Sequence, residues 1–119
     1  MTLETTATAI KKARLRPRKQ EVELQDALAL TLAPLGFIRE FRADAQNRPD
    51  FAHPVSMVFV EVKTGGSAAE LDRQILRYVL ETACTAVIVV TTRANHNPPT
   101  TMRRRGEIIP IITIRLSGL

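Results

Sequence analysis

Asp50, Glu61 and Lys63 are the side chains of this 119-residue chain whose types and spacing suit chemistry. They fall in the stretch Arg48-Pro49-Asp50-Phe51-Ala52-His53-Pro54-Val55-Ser56-Met57-Val58-Phe59-Val60-Glu61-Val62-Lys63, in which Glu-x-Lys follows Pro-Asp on an apolar run. An ionised side chain in a low-dielectric setting is costly without a neutralising partner. A strand carrying Glu61 and Lys63 among Val58, Val60 and Val62 therefore holds either an ion pair or a site. Alternation puts Met57, Phe59, Glu61 and Lys63 on one face, with Glu61 and Lys63 roughly 6 to 7 Å apart along the strand. If Val55 to Lys63 pairs with a preceding strand through a turn at His53-Pro54, Asp50 arrives beside Glu61, and two hard oxygen ligands stand next to a cation. Mg²⁺, or Mn²⁺ in its place, suits such a pair, because it is held by one or two carboxylates together with waters and substrate phosphate oxygens. A metal there can generate hydroxide, polarise a scissile phosphate and stabilise the leaving oxygen. Lys63 would orient or deprotonate the attacking water, or balance charge on phosphorus; the spacing does not separate these roles. The plainer alternative is a surface strand end with an incidental ion pair.

The elements around this strand follow from periodicity. Thr64-Gly65-Gly66-Ser67 reads as a turn ending in a Ser N-cap, and Ala68 to Ala83 reads as a helix with Leu71, Ile75, Val79 and Leu80 as its apolar stripe. On it Gln74 and Tyr78 are four apart and share a face, with Arg77 adjoining; the plain reading is an exposed glutamine and a half-buried tyrosine. Gln20 to Leu35 reads as an earlier helix with Leu24, Leu28, Leu32 and Leu35 on one side, closed by Gly36. Glu21 extends that inward face toward the chain start. Phe37 to Ala43 alternates as a strand would, Ala86 to Thr92 suits a strand buried on both faces, and Ile108 to Leu116 is a β-branched run whose Pro110 suggests an edge or a bulge. The predicted order is α-β-β-β-α-β-β, an α/β fold.

Pro49-Asp50, Glu61-x-Lys63 and Gln74-x-x-x-Tyr78 together resemble the PD-(D/E)xK nuclease superfamily, and the last of them is similar to the third motif of its RecB-type and λ-exonuclease-type members. The resemblance covers about residues 20 to 93. It implies a restriction-endonuclease-like αβββαβ core, a mixed central sheet flanked by helices. It further implies Mg²⁺-dependent hydrolysis of DNA phosphodiester bonds, with Asp50 and Glu61 as metal ligands and Lys63 as the catalytic cation. Gln74 would position the metal-bound water or the lysine, and Tyr78 would support the site or touch DNA. A first-helix glutamate, Glu21 before Glu23, would make a direct or outer-sphere metal contact; dipole-favoured acids at a helix start are the plainer reading of both.

Composition bounds the rest. The length suits one domain, and the apolar runs are too short to span a bilayer, so a cytoplasmic protein without a membrane partner is expected. Cys84 is alone, which excludes an internal disulfide, and it sits where a small core residue would. The net charge of +5 is carried by residues 1 to 20, which hold Lys11, Lys12, Arg14, Arg16, Arg18 and Lys19 against Glu4; the remaining bases and acids cancel. Residues 1–19 are therefore expected as a basic flexible tail able to hold DNA phosphates, ahead of a single domain at 20–119. Arg77 and the run Arg103-Arg104-Arg105 are further candidates for phosphate contact. DNA is the expected partner, with a homo-oligomer or a larger nuclease complex as the setting. Two other readings stand beside this one: a catalytically idle nuclease-like module that binds nucleic acid or a partner protein, and an unrelated α/β interaction domain whose acids pair with arginines. Duplex, single-strand, branched, end or internal substrates are not distinguished.

Overall fold

Val58, Val60 and Val62 alternate with Phe59, Glu61 and Lys63, and the chain uses both faces of the resulting strand. In the computed structural model, which describes residues 3–117, this strand is Val58–Lys63 (β3) and lies inside a six-stranded mixed sheet. The other strands are Ile38–Arg39 (β1), Phe51–Ala52 (β2), Ala86–Thr91 (β4), Thr101–Arg104 (β5) and Glu107–Arg115 (β6). Their order across the sheet is β1-β2-β3-β4-β6-β5. β3, β4 and β6 run parallel, while β1, β2 and β5 pair antiparallel with their neighbours.

Three helices among the described residues cover the two faces: Leu3–Lys12 (α1), Glu21–Leu32 (α2) and Ala68–Glu81 (α3). Val58, Val60, Val62, Ile88 and Val90 pack with Ile10 of α1 and with Leu24, Leu28 and Leu32 of α2. Phe59, Val87, Val89 and Ile111 pack with Leu71, Ile75, Tyr78 and Val79 of α3 on the opposite face. Burying each of these aliphatic or aromatic side chains contributes roughly 1.5 to 3 kcal/mol. β4 is apolar on both faces up to Thr91 because both faces are covered, whereas β3 is apolar on the α1–α2 side and carries Glu61 and Lys63 after Phe59 on the α3 side.

Local signals set the boundaries. Ser67 caps α3 by accepting the Glu70 N–H at 3.1 Å, and Glu70 reaches back to the Ser67 N–H. α2 stops at Leu32, where Pro34 enters a single 3₁₀ turn, Ala33–Leu35. Gly36 then adopts φ 92°, and a Cβ there would stand 3.1 Å from the His53 ring. β5 and β6 are joined by Arg105 and Gly106 at φ 49° and 81°, the two left-handed residues that a two-residue primed turn requires.

Several expectations change here. Within the N-terminal segment expected as a flexible tail, residues 3–12 form α1 with Thr6, Ala7 and Ile10 buried. Leu3, Ala7 and Ile10 share one helix face, and packing on α2 and β6 outweighs the threonine-rich composition. The strand expected at Phe37 to Ala43 is only Ile38–Arg39, and residues 55–57 belong to the turn before β3. Leu80 is exposed, and Tyr78 takes its inward place. Pro110 stands where the ladder of β6 changes sides: residues 107–110 pair with β5 and residues 111–115 pair with β4, so at the proline the strand is paired on one side only. Cys84 is buried as expected, and burial pushes its thiol pKa up.

Candidate active site

Pro49 has no N–H to donate, so the β2–β3 ladder ends beside it and the next residue completes the pairing with its side chain. Continuing the register Phe51↔Val60 places Asp50 opposite Glu61. The Asp50 carboxylate accepts the Val62 N–H at 2.7 Å, and the Asp50 N–H is donated to Glu61 Oε1 at 3.3 Å. Lys63 Nζ stands 3.5 Å from Glu61 Oε2. The Glu61 side chain is only 3% exposed, so that ammonium is the cation facing a desolvated carboxylate.

α3 supplies the next partners. Tyr78 Oη donates to Glu61 Oε1 at 2.9 Å, and Gln74 Nε2 donates to Tyr78 Oη at 3.1 Å. Tyr78 is buried edge-on against Phe59, which holds the phenol in place. Burial and the charge of Glu61 raise the Tyr78 pKa, so the phenol remains a donor. From the start of α2, Glu21 Oε1 accepts the Thr64 N–H at 3.1 Å and fixes the end of β3. Its charge reaches Asp50. Glu23 is exposed, which separates the two first-helix acids.

The electrostatics follow from two acids sharing one lysine. Burial, then repulsion from Asp50, raises Glu61 to about 7, against the pull of Lys63, Tyr78 and the Asp50 N–H. Asp50 is also raised, chiefly by burial and further by Glu21, with the Val62 N–H and Lys63 opposing. The site carries more negative charge than its own cation neutralises. Hard oxygen donors with a shortage of positive charge fit Mg²⁺ or Mn²⁺. Among the described residues no three His, Cys, Asp or Glu side chains are gathered as a ready cage. Mg²⁺ ordinarily binds through one or two carboxylates and keeps its waters, so the two-carboxylate arrangement is the relevant one.

These groups lie at the carboxyl end of the parallel strands, where Lys63, Thr91 and Arg115 are in register. Ligands of open α/β sheets gather at this edge. A cleft of about 350 Å³ opens there, lined by Lys63, Gly65, Gly66, Gln74, Arg73 and Arg77 among others. Arg77 borders the cleft, and its Nε donates to buried Asn47 at 3.1 Å. Arg103, Arg104 and Arg105 stand elsewhere, at the opposite end of the sheet where β6 begins. There Arg104 donates to the Val79 and Thr82 carbonyls and closes the C-terminus of α3.

Three participants were not read from the sequence. His96 is buried and joins the end of β4 to the turn after β3, with Nδ1 2.8 Å from Thr91 Oγ1 and Nε2 3.0 Å from the Gly66 carbonyl. The carbonyl can only accept, so Nε2 carries the hydrogen and Nδ1 accepts from the threonine. Arg73 borders the cleft, and its signal was its place one helical turn before Arg77. Asn47, which ties Asp44, Arg77 and Glu81 together, left no signal beyond its place before Pro49. Compared with known protein families, curated proteins and solved structures, the chain matches none. Among the described residues no helix is long and apolar enough to cross a membrane.

Proposed function

We propose that this chain is a divalent-metal-dependent nuclease of the PD-(D/E)xK type, built on a restriction-endonuclease-like core and hydrolysing DNA phosphodiester bonds. The observation that supports this best is the meeting of Asp50, Glu61 and Lys63 at one strand end, with Glu61 nine-tenths buried and raised to about 7. A purely structural ion pair needs no second carboxylate against it, and two desolvated acids with one cation are costly without a further positive charge.

In this reading Asp50 and Glu61 would hold Mg²⁺ or Mn²⁺, Glu21 would add negative charge beside Asp50, and the metal would supply Lewis acidity toward the phosphate and lower the pKa of water. Lys63 faces the scissile group as orienting cation or proton acceptor for the attacking water. Tyr78 and Gln74 form a donor chain onto Glu61 that fixes its carboxylate rotamer and keeps one oxygen turned to Lys63. His96 holds the Gly66 carbonyl and so positions the turn that follows Lys63.

The test is cleavage of linear, circular, single-stranded and branched DNA with Mg²⁺ or Mn²⁺ against EDTA, together with calorimetry of metal binding. Metal-dependent cleavage lost in Glu61→Gln supports the reading. A second reading, an idle nuclease-like module that binds nucleic acid or a partner protein, draws on Glu61 Oε1 and Asp50 Oδ2 already accepting protein hydrogens. Nucleic-acid binding without cleavage under every metal would favour it.

A further inference from the structure

The segment between α1 and α2 crosses the molecule along the edge that carries the candidate active site. It leaves α1 beside the end of β6, where Arg14, Leu15 and Arg16 lie with Ile114 and Leu116. It arrives at Glu21, which is bonded to Thr64 at the end of β3. Leu15 and Pro17 are half-buried while Arg16 and Arg18 are exposed, so beyond Arg14, which is exposed in a turn at φ 50°, the chain turns a base outward at every second residue. That repeat is roughly 6 to 7 Å in an extended chain. Arg14, Arg16, Arg18 and Lys19 make no ion pair among the described residues. On the far side of the Thr64–Ser67 turn the cleft carries Arg73 and Arg77. The cleft also holds Glu70 and Lys63, so bases stand on both sides of the end of β3 along one edge, with one acid among them.

Aromatic rings are missing from this surface. The chain has one tyrosine, four phenylalanines and no tryptophan, all within the described residues. Phe37, Phe51, Phe59 and Tyr78 are buried, and Phe41 is half-buried against the α3-side core. His96 is buried, and the His53 ring stands edge-on to Phe37 and accepts the Ser56 N–H at 3.0 Å. Binders of single strands combine basic grooves with aromatic platforms on which unpaired bases stack. A basic edge without such platforms contacts phosphates alone, which suits base-paired nucleic acid.

Resting on the nuclease reading, the geometry points to duplex DNA as the substrate, held through its phosphates by the 14–19 segment on one side of the carboxylates and by Arg73 and Arg77 on the other. Recognition at this edge is independent of sequence and steep in salt. Lys11, in the last turn of α1, stands with Arg14 and Arg16 beside the end of β6.

Binding of the whole 119-residue chain carrying Glu61→Gln to a labelled duplex and to each of its separated strands, with Mg²⁺ across a salt series, tests this while leaving the DNA intact. The duplex is expected to bind at least about tenfold more tightly than either strand, with log K falling by about 0.9 per log salt for each phosphate neutralised. Arg16→Ala with Arg18→Ala should reduce that slope by about two without changing the melting temperature, because both side chains are exposed. Equal or tighter binding of single strands, or an unchanged slope in the double variant, overturns the inference. Duplex binding by a wild-type chain that cleaves nothing would leave the phosphate contacts of this edge standing but remove the nuclease reading, and with it duplex DNA as a substrate. Cleavage with a preference for single strands would do the reverse.

Discussion

Asp50 and Glu61 exchange support across the β2–β3 pair: the Asp50 N–H is donated to the Glu61 carboxylate, and the Asp50 carboxylate accepts the N–H of Val62, the residue after Glu61. Each acid is fixed by backbone that the other's strand supplies. The geometry is rigid before any ligand arrives, and the price is two desolvated carboxylates within reach of each other.

That cost gives a pH dependence of stability. Glu61 has an ordinary pKa of 4.5 and is raised to about 7 in the fold by burial and by Asp50. Between those values the folded chain holds more protons than the unfolded one, so stability falls as pH rises. The contribution is complete below about 4.5 and lost as pH passes about 7, with a slope of up to about 1.4 kcal/mol per pH unit for one proton. Denaturant unfolding at pH 5 and pH 8 should show this loss, and Glu61→Gln should remove most of it. Saturating Mg²⁺ should restore more stability at pH 8 than at pH 5, since it binds the ionised form. A wild-type chain as stable at pH 8 as at pH 5 would contradict the burial of Glu61.

Lys63 offsets part of that charge. Lys63→Met is expected to raise the Glu61 titration further and to lower DNA turnover by at least about a hundredfold, in the range typical of lost electrostatic donors. Single-turnover cleavage across pH measures both. Retained turnover in Lys63→Met would leave the ammonium a structural counter-ion only.

Tyr78 and Gln74 call for a milder test. Tyr78→Ala would empty a fully buried site and cost about 3 to 5 kcal/mol, confusing folding with chemistry. Tyr78→Phe removes only the hydroxyl that donates to Glu61 and should cost about 1 to 3 kcal/mol by leaving the carboxylate short of a donor. Turnover in Tyr78→Phe and Gln74→Ala should fall by roughly tenfold, less than in Asp50→Asn or Glu61→Gln, because supporting groups commonly contribute 10- to 100-fold. Equal losses in all four variants would place Tyr78 and Gln74 in direct contact with substrate.

What was legible in the sequence was what side-chain alternation and helical spacing control. The faces of β3, the arrival of Asp50 opposite Glu61 and the pairing of Gln74 with Tyr78 follow from periods of two and of four residues. Long-range packing was not legible. Threonine-rich residues 3–12 form a helix because Ile10 finds Leu24 and Leu28 across the chain, and no local pattern announces those neighbours. Arg103 to Arg105 read as a phosphate clamp, yet register carries them away from the carboxylates and Arg104 closes α3. His96 was opaque for the same reason, since Thr91 ends β4 just before it while Gly66 belongs to the turn after β3, 30 residues earlier.

The N-terminal helix gives the last prediction. Ile10 is 1% exposed and Ala7 is 5% exposed, and both belong to the core on the α2 side of the sheet. Removing residues 1–12 therefore strips a cover from β6 and α2 instead of trimming a solvated appendage. Ile10→Ala alone should cost about 2 to 5 kcal/mol, as other large-to-small core substitutions do. Charge removal should separate from this: Lys11→Ala with Lys12→Ala alters exposed side chains in the last turn and should leave stability within about 0.5 kcal/mol. Urea unfolding of the two variants and of the truncated chain measures all three. A truncated chain that unfolds at the wild-type urea concentration would show that α1 contributes no packing to the core.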